Sequence, residues 1–363
     1  MDTIVLSKVK KSYSGVTAVQ DLSINIREGE FLTLLGPSGC GKTTTLRMIA
    51  GLEDADDGEI SVGGKVFFSK HKGIYVPPEK RQLGFIFQSY ALWPHMTVKK
   101  NISLGLEERK VNKDKIEETV NNALKKVQLT GYENRYPSEL SGGQQQRVAV
   151  ARMIAAEHRI FLMDEPLSNL DAMLRIGMRT ELKHLHHELG ATTVYVTHDQ
   201  NEALTLSDRI AVMDSGLLRQ IGTPEEIYKK PADLFVARFV GSPQINVLEG
   251  QIISENGIPY FVCGPLKKNF PADFNYQEKN ITATIRPEEI KIKKEKDADW
   301  LEGVVYSVLP AGSETIVAVK WDNLDLTLKM NGFSDLKIDD EVWIDFSADQ
   351  MNYFDPESQK LLS

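Results

Sequence analysis

The residues Gly36-Pro37-Ser38-Gly39-Cys40-Gly41-Lys42-Thr43 place three glycines ahead of a lysine and a hydroxyl side chain. Glycines at that spacing let backbone N–H groups curl around an anion, and a helix beginning near the lysine adds the positive end of its dipole. The flanks fit. Residues 31–35 are a short apolar run that reads as a buried strand, and Leu46, Ile49 and Ala50 follow at helical spacing. In that strand-loop-helix setting, G-x-x-x-x-G-K-[ST] predicts a nucleoside triphosphate site. Lys42 would reach the β- and γ-phosphates and the Thr43 hydroxyl would ligate Mg²⁺.

Further residues are suited to work on the same ligand. The run Arg159 to Pro166, RIFLMDEP, is apolar until it ends in two acids. A parallel strand buried on both faces would present Asp164 and Glu165 at its C-terminal edge, where open α/β sheets bind ligands. One carboxylate can then hold the hydration shell of Mg²⁺ while its neighbour addresses a water. Thr192 to Thr197 reads as the next buried strand, and His198 at its end is well placed to touch a γ-phosphate. Phe85 to Phe87 complete another strand that delivers Gln88, which taken alone is a polar residue leaving a sheet. Leu140 to Arg147, LSGGQQQR, opens a helix with Ser141 as N-cap; it is either a second anion-seeking helix terminus or a plain capped start. Tyr13, on a turn, is either an adenine-stacking ring or a half-buried strand end. His184 and His187 are one helical turn apart, but no Cys or acid completes a metal set, so they read as a solvated face.

The strands and helices that carry these residues can be read in chain order. Residues 3–26 alternate around Ser14 and Gly15 as antiparallel strands, and residues 58–76 contain a hairpin turn at Gly63-Gly64. Tyr90, Leu92 and Trp93 cluster in the irregular stretch after Gln88, where loops usually shed apolar residues unless something covers them. Residues 112–130 form an amphipathic surface helix of a helical insertion, and Ser168-Asn169-Leu170-Asp171 turns into a helix running to Leu189. From Gly241 onward the segments are short, β-rich and separated by turns, the pattern of a small antiparallel barrel.

With 363 residues the chain has room for two cores. A formal net charge of −8 and a pI near 5.5 argue against nucleic acid as a partner, because phosphate neutralisation needs a basic stripe. Residues 1–10 lack the apolar stretch of a signal peptide, and no apolar run is long enough to span a bilayer, so a membrane role would need a partner. Only two cysteines occur, one of them within the phosphate loop, which suits a reducing cytosol.

As a set in this order, the phosphate loop, Gln88, the signature Leu140 to Gln144, Asp164 and Glu165, the Ser168 to Asp171 loop and His198 resemble the ATPase subunits of ABC transporters over residues 3 to about 235. The resemblance implies an α/β fold: a P-loop cassette with a parallel sheet core, an antiparallel β subdomain and a helical subdomain at about 89–157. The cassette would span 1–235, and an OB-like (TOBE) regulatory domain would span 236–363. Gly241-Ser242-Pro243, Arg286-Pro287-Glu288 and Phe354-Asp355 resemble the tails of sugar-importer ATPases, although GSPQIN departs from the form usual there.

The resemblance also implies an assembly, in which two subunits dimerise head to tail and share two ATP sites. The residue roles it implies are specific. Tyr13 stacks on adenine; Gly36, Pro37, Ser38, Gly39, Cys40, Gly41, Lys42, Thr43 and Thr44 hold phosphate. Thr43, Gln88 and Asp164 serve Mg²⁺, Glu165 is the general base, His198 bonds the γ-phosphate, and Gln88 senses metal and water. Ser141 and Gly143 act on the nucleotide bound to the other subunit, and Gly142, Gln144 and Asp171 also belong to the nucleotide-binding set. Two transmembrane permease subunits dock near Gln88–Met96, where Tyr90, Leu92 and Trp93 help line a groove, and an extracytoplasmic solute-binding protein takes part indirectly. The implied activity is ATP-driven import, of a sugar first and of ferric iron, polyamine or oxyanion as alternatives, at the cytoplasmic face of the membrane. A soluble ABC ATPase of DNA repair or translation is the reading from another class; the single cassette, the acidic balance and the loop aromatics stand against it.

Overall fold

A computed structural model describes residues 2–270, 280–297, 300–322 and 324–362. The chain divides into two compact units, residues 1–224 and 225–363.

In the first unit, β1 (Asp2–Tyr13) and β2 (Val16–Arg27) pair antiparallel around the Ser14-Gly15 turn. Then come β3 (Phe31–Leu35), α1 (Lys42–Ala50), β4 (Asp57–Val62), β5 (Lys65–Ser69), β6 (Ile74–Tyr75) and β7 (Gly84–Ile86). Three helices follow, α2 (Val98–Glu108), α3 (Lys113–Lys126) and α4 (Gly142–Ala155), then β8 (Ile160–Asp164), α5 (Ala172–Leu189), β9 (Thr192–Thr197), α6 (Gln200–Leu206), β10 (Arg209–Asp214) and β11 (Leu217–Gly222). Sequence periodicity missed α2, although Thr97 caps it and Val98, Ile102 and Leu106 recur at one face of it.

One sheet is antiparallel, in the order β2-β1-β4-β5-β6. The other has the order β11-β10-β3-β9-β8-β7 and is parallel except for β11. Strands β3, β8 and β9 are buried along their whole length, as a parallel sheet covered on both faces requires. Successive residues part between two cores by the period of the pleat. Phe161, Met163 and Tyr195 join the core that holds α2 to α5. Ile160, Leu162, Val194 and Val196 join the core of α1 and the antiparallel sheet. The side-by-side order β3-β9-β8-β7 lines up four C-terminal strand ends at one edge.

The second unit carries two five-stranded antiparallel sheets among its described residues, sharing one core around Phe261, Trp321, Phe346 and Tyr353. The motif residues of this tail are structural. Asn246, which ends GSPQIN, donates to Thr327 O at 2.8 Å and accepts from Thr327 N at 2.7 Å, pinning one sheet to the other. Buried Arg286 donates to Tyr228 O at 2.8 Å and to the carbonyls of Ala237 and Val240, and stacks on the Tyr228 ring.

Candidate functional site

The first strand end, after β3, is the phosphate loop. Gly39 and Gly41 have φ of 80° and 101°, and a Cβ on Gly41 would stand 2.2 Å from Ala18 O. A Cβ on Gly36 would likewise strike Met213 O. The loop is therefore a tight cradle that only glycine builds. Lys42 is buried, and its Nζ donates to Gly36 O and Pro37 O, both at 2.8 Å, folding the ammonium over the loop. Cys40 is buried beneath it, with Sγ 3.7 Å from that Nζ, and burial raises the thiol pKa. Thr44 reaches the Tyr13 hydroxyl, so the exposed Tyr13 ring stands beside the start of α1.

The acids end β8. Asp164, 4% exposed, accepts from Thr43 Oγ1 at 2.8 Å and faces Arg47 at 3.7 Å. Burial pushes its carboxyl above the usual range and neighbouring Glu165 adds to this, while Thr43, Arg47 and Lys42 pull the other way. Hydroxyl, carboxylate and amide oxygens are the hard donors that suit Mg²⁺, and Thr43 and Asp164 already touch. Among the described residues no three His, Cys, Asp or Glu side chains form a metal site of their own.

Glu165 leaves the strand in the left-handed region, with φ of 44°. Its N–H donates to Val196 O at 3.0 Å, and its carbonyl accepts from Ser168 N at 3.2 Å and Ser168 Oγ at 2.9 Å. Its Oε2 lies 3.1 Å from His198 Nδ1, at the end of the neighbouring strand. Gln88, beyond β7, is tied to the same loop: its Nε2 donates to Ser168 Oγ at 3.3 Å and its carbonyl accepts from Asn169 Nδ2 at 2.8 Å.

The ABC transporter family profile fits residues 19–168, and the TOBE domain profile fits residues 283–354. The trehalose/maltose import ATP-binding protein MalK of Thermococcus litoralis is 44% identical over the full length of both chains. This chain belongs to the ATP-binding subunits of ABC transporters. The spermidine/putrescine import ATP-binding protein PotA of Clostridium novyi is 48% identical over 84% of each chain. Among solved structures, the ATP-binding cassette MJ0796, dimeric and bound to ADP and Pi, is 32% identical with a TM-score of 0.54. That match covers 61% of this chain and 98% of that one.

As an ABC ATPase the chain binds ATP, and its other motif residues sit at helix starts. Ser141 caps α4: its Oγ accepts from Gln144 N at 3.4 Å, and Gln144 Oε1 accepts from Ser141 N at 3.0 Å. No hydrogen bond or ion pair of the described residues joins this helix start to the phosphate loop. Gly142 and Gly143 instead press on Leu170 and Leu174, where an added Cβ would come within 3.0 Å. Asp171 caps α5 by accepting from Leu174 N at 2.9 Å. His184 is exposed, as a solvated face requires, whereas His186 on the same helix is half-buried against Thr193.

One expectation is corrected. Tyr90 does not line a surface groove, because its ring is 3% exposed within the helical core, while Trp93 is 49% exposed. The reason lies in two residues that motif reading passed over. Arg152 donates to Ala91 O at 2.9 Å and Tyr90 O at 3.0 Å, holding both residues at positive φ and turning the Tyr90 ring inward. Buried Asn101 bonds the backbones of Trp93, Met96 and Thr97, fixing the loop that carries Trp93 outward. Sequence offered only the weak signal of an Asn at a core-facing helix position.

Proposed function

We propose that this chain is the ATP-hydrolysing subunit of an importer, working as a homodimer with two shared sites. The observation that carries the reading is the convergence at one sheet edge of the Lys42 cradle, the Thr43–Asp164 bond and the Glu165–His198 pair. Lys42, released from its loop carbonyls, reaches the β- and γ-phosphates, while the loop N–H groups and the α1 N-terminus hold the rest. Tyr13 stacks on adenine. Thr43, Asp164 and Gln88 would hold Mg²⁺, which would supply charge neutralisation at the phosphate oxygens. Glu165 orients the attacking water and accepts its proton as the water oxygen bonds to the γ-phosphorus and the bond to ADP breaks. His198 donates to the γ-phosphate.

Ser141 and Gly143 act on the partner's nucleotide, supplying from the start of α4 the positive charge that other NTPases draw from an arginine, and Gly142, Gln144 and Asp171 complete the nucleotide-binding set. The dimeric cassette bound to ADP and Pi supports this assembly. Among the described residues no helix is long and apolar enough to cross a membrane. The chain is held at the cytoplasmic face by two permease subunits seated at Gln88–Met96 around Trp93, with a solute-binding protein outside, a reading that its import ATP-binding relatives support. Full-length identity to the trehalose/maltose protein supports a carbohydrate solute. The 48% identity to the spermidine/putrescine protein supports a polyamine as the second reading.

Light scattering of Glu165→Gln with and without Mg-ATP tests the mechanism. An ATP-dependent shift from monomer to dimer is expected, and an unchanged mass overturns the shared site. Uptake of labelled trehalose and spermidine by cells lacking the chain decides between the two solutes.

A further inference from the structure

Arg175, on the first turn of α5, stands between two loops of the site. Its Nη2 donates to Leu170 O at 3.0 Å, in the loop that follows Glu165. Its Nη1 reaches Asp199 Oδ2 at 3.5 Å, on the residue after His198, and its Nε lies 3.9 Å from Glu202 Oε1. On the His198 side the guanidinium meets a fixed wall. Glu202 is 3% exposed, and its Oε2 accepts from the Tyr195 hydroxyl at 2.8 Å and the Thr197 hydroxyl at 2.7 Å. Thr197 Oγ1 accepts from Asp199 N at 3.0 Å, and Asp199 Oδ1 accepts from Asn201 N and Glu202 N. His198 is thus flanked by two residues anchored in the network that Arg175 touches. On the other side, the Leu170 side chain packs on the start of α4 at Gly142, and Leu174, next to Arg175 in sequence, packs at Gly143.

We propose that Arg175 is a positioning residue: it ties the Leu170 loop to the His198 loop, so that contact at the start of α4 is passed to the His198–Glu165 pair. This rests on the reading of His198 as the γ-phosphate ligand and of Ser141 and Gly143 as acting on the partner's nucleotide. A planar guanidinium suits the task because its donors point in fixed, different directions, whereas an ammonium on a flexible stem meets one partner at a time.

The test is a double-mutant cycle on the full chain, measuring steady-state ATP hydrolysis for wild type, Arg175→Ala, Arg175→Lys, His198→Ala and the two Arg175 changes in the His198→Ala background. Arg175→Ala is expected to lower kcat roughly 10- to 100-fold, the scale of an ångström-sized misplacement, with KM for ATP within about twofold. Arg175→Lys should fall between it and wild type, and neither change should lower the residual rate of His198→Ala further, because residues acting through one contact are non-additive. An equal fold-loss in both backgrounds, or no loss, overturns the proposal. If Arg175→Ala does not fold, Arg175→Lys decides on the same criterion. Wild type and Glu165→Gln measured alongside separate the failures. With wild type active and Glu165→Gln inactive, an additive result sinks only the Arg175 assignment. An inactive wild type or an active Glu165→Gln overturns the underlying reading and this inference with it.

Discussion

His198 Nδ1 stands 3.1 Å from Glu165 Oε2, across the ends of two neighbouring parallel strands paired as far as Asp164 and Val196. The Glu165 backbone is pinned on both sides, by Val196 O and by Ser168, in a left-handed conformation that a non-glycine residue rarely adopts. Such pinning fixes where the carboxylate points before any substrate arrives.

Glu165→Gln keeps the shape and removes the proposed base. Turnover should fall by about two to four orders of magnitude, the range for losing a general base, while ATP affinity is retained. Phosphate release together with binding of a fluorescent ATP analogue checks both halves. Wild-type turnover would assign the base elsewhere.

Gly41→Ala tests the cradle. At φ of 101°, with Ala18 O 2.2 Å from any Cβ, the substitution must move either the loop or the β1–β2 hairpin. Loss of about 1 to 3 kcal/mol of stability is expected from the backbone strain alone, accompanied by weaker ATP binding. Thermal melts with and without Mg-ATP read the two effects, and an unaltered melting temperature would mean that the close approach is not a constraint.

The buried Asp164 carboxyl makes a pH prediction. Its folded-state pKa is raised, chiefly by burial, so the folded protein holds this proton more tightly than the unfolded chain does. That preference stabilises the fold below the ordinary carboxylate pKa of about 3.9 and is lost as pH rises through the raised folded value. Asp164→Asn keeps the acceptor for Thr43 without the charge. The nucleotide-free variant should therefore exceed wild type in melting temperature by more at pH 7 than at pH 4, and lose Mg-dependent hydrolysis. A difference that is flat with pH, or larger at pH 4, contradicts this reading of the site.

Much of this site was legible in the sequence because its parts are local. Three of its strand ends announce themselves as apolar runs closed by a polar residue, and the phosphate loop carries its own glycine spacing. What the chain could not announce is contact at a distance. Arg152 and Asn101 hold the loop after Gln88 from 62 and 8 positions away at their matched partners, Tyr90 and Trp93, and beyond the core-facing helix position of Asn101 nothing local marks either as an anchor. Tyr90 is misread from sequence for the same reason, since an aromatic in an irregular stretch looks exposed until the arginine that turns it inward is known. The tail motifs show the same limit: Asn246 and Arg286 stand in the sequence only as family-like motifs, and their partners make them sheet and core ties of their unit.

Tyr90 has a residual cost. Its hydroxyl is buried with no hydrogen-bond partner, and burial raises its pKa. A buried unpaired hydroxyl costs about 1 to 3 kcal/mol, so Tyr90→Phe should stabilise the protein by about 1 kcal/mol in denaturant titration. A destabilised variant would reveal an ordered water or partner serving that oxygen.

Trp93 differs from its neighbour in each respect that matters for docking. Its ring is half exposed and packed edge-on against His95 at 5.9 Å, while its backbone is held on both sides by Asn101. A rigid loop that displays an aromatic loses little entropy when a partner covers it, which is how a few such residues come to dominate binding energy. Trp93→Ala should leave basal ATP hydrolysis within error and the melting temperature little changed, because the ring is half exposed and its ring-to-ring contact is the edge-on one with His95. Association with the permease subunits in membranes should drop by about tenfold or more, as expected for a loss of roughly 2 kcal/mol at a hot spot. Asn101→Ala separates the ring from its scaffold: it keeps the indole but frees the loop, so it should weaken the same association while also lowering stability. Full association of Trp93→Ala would remove this loop from the docking surface, whatever Asn101→Ala does.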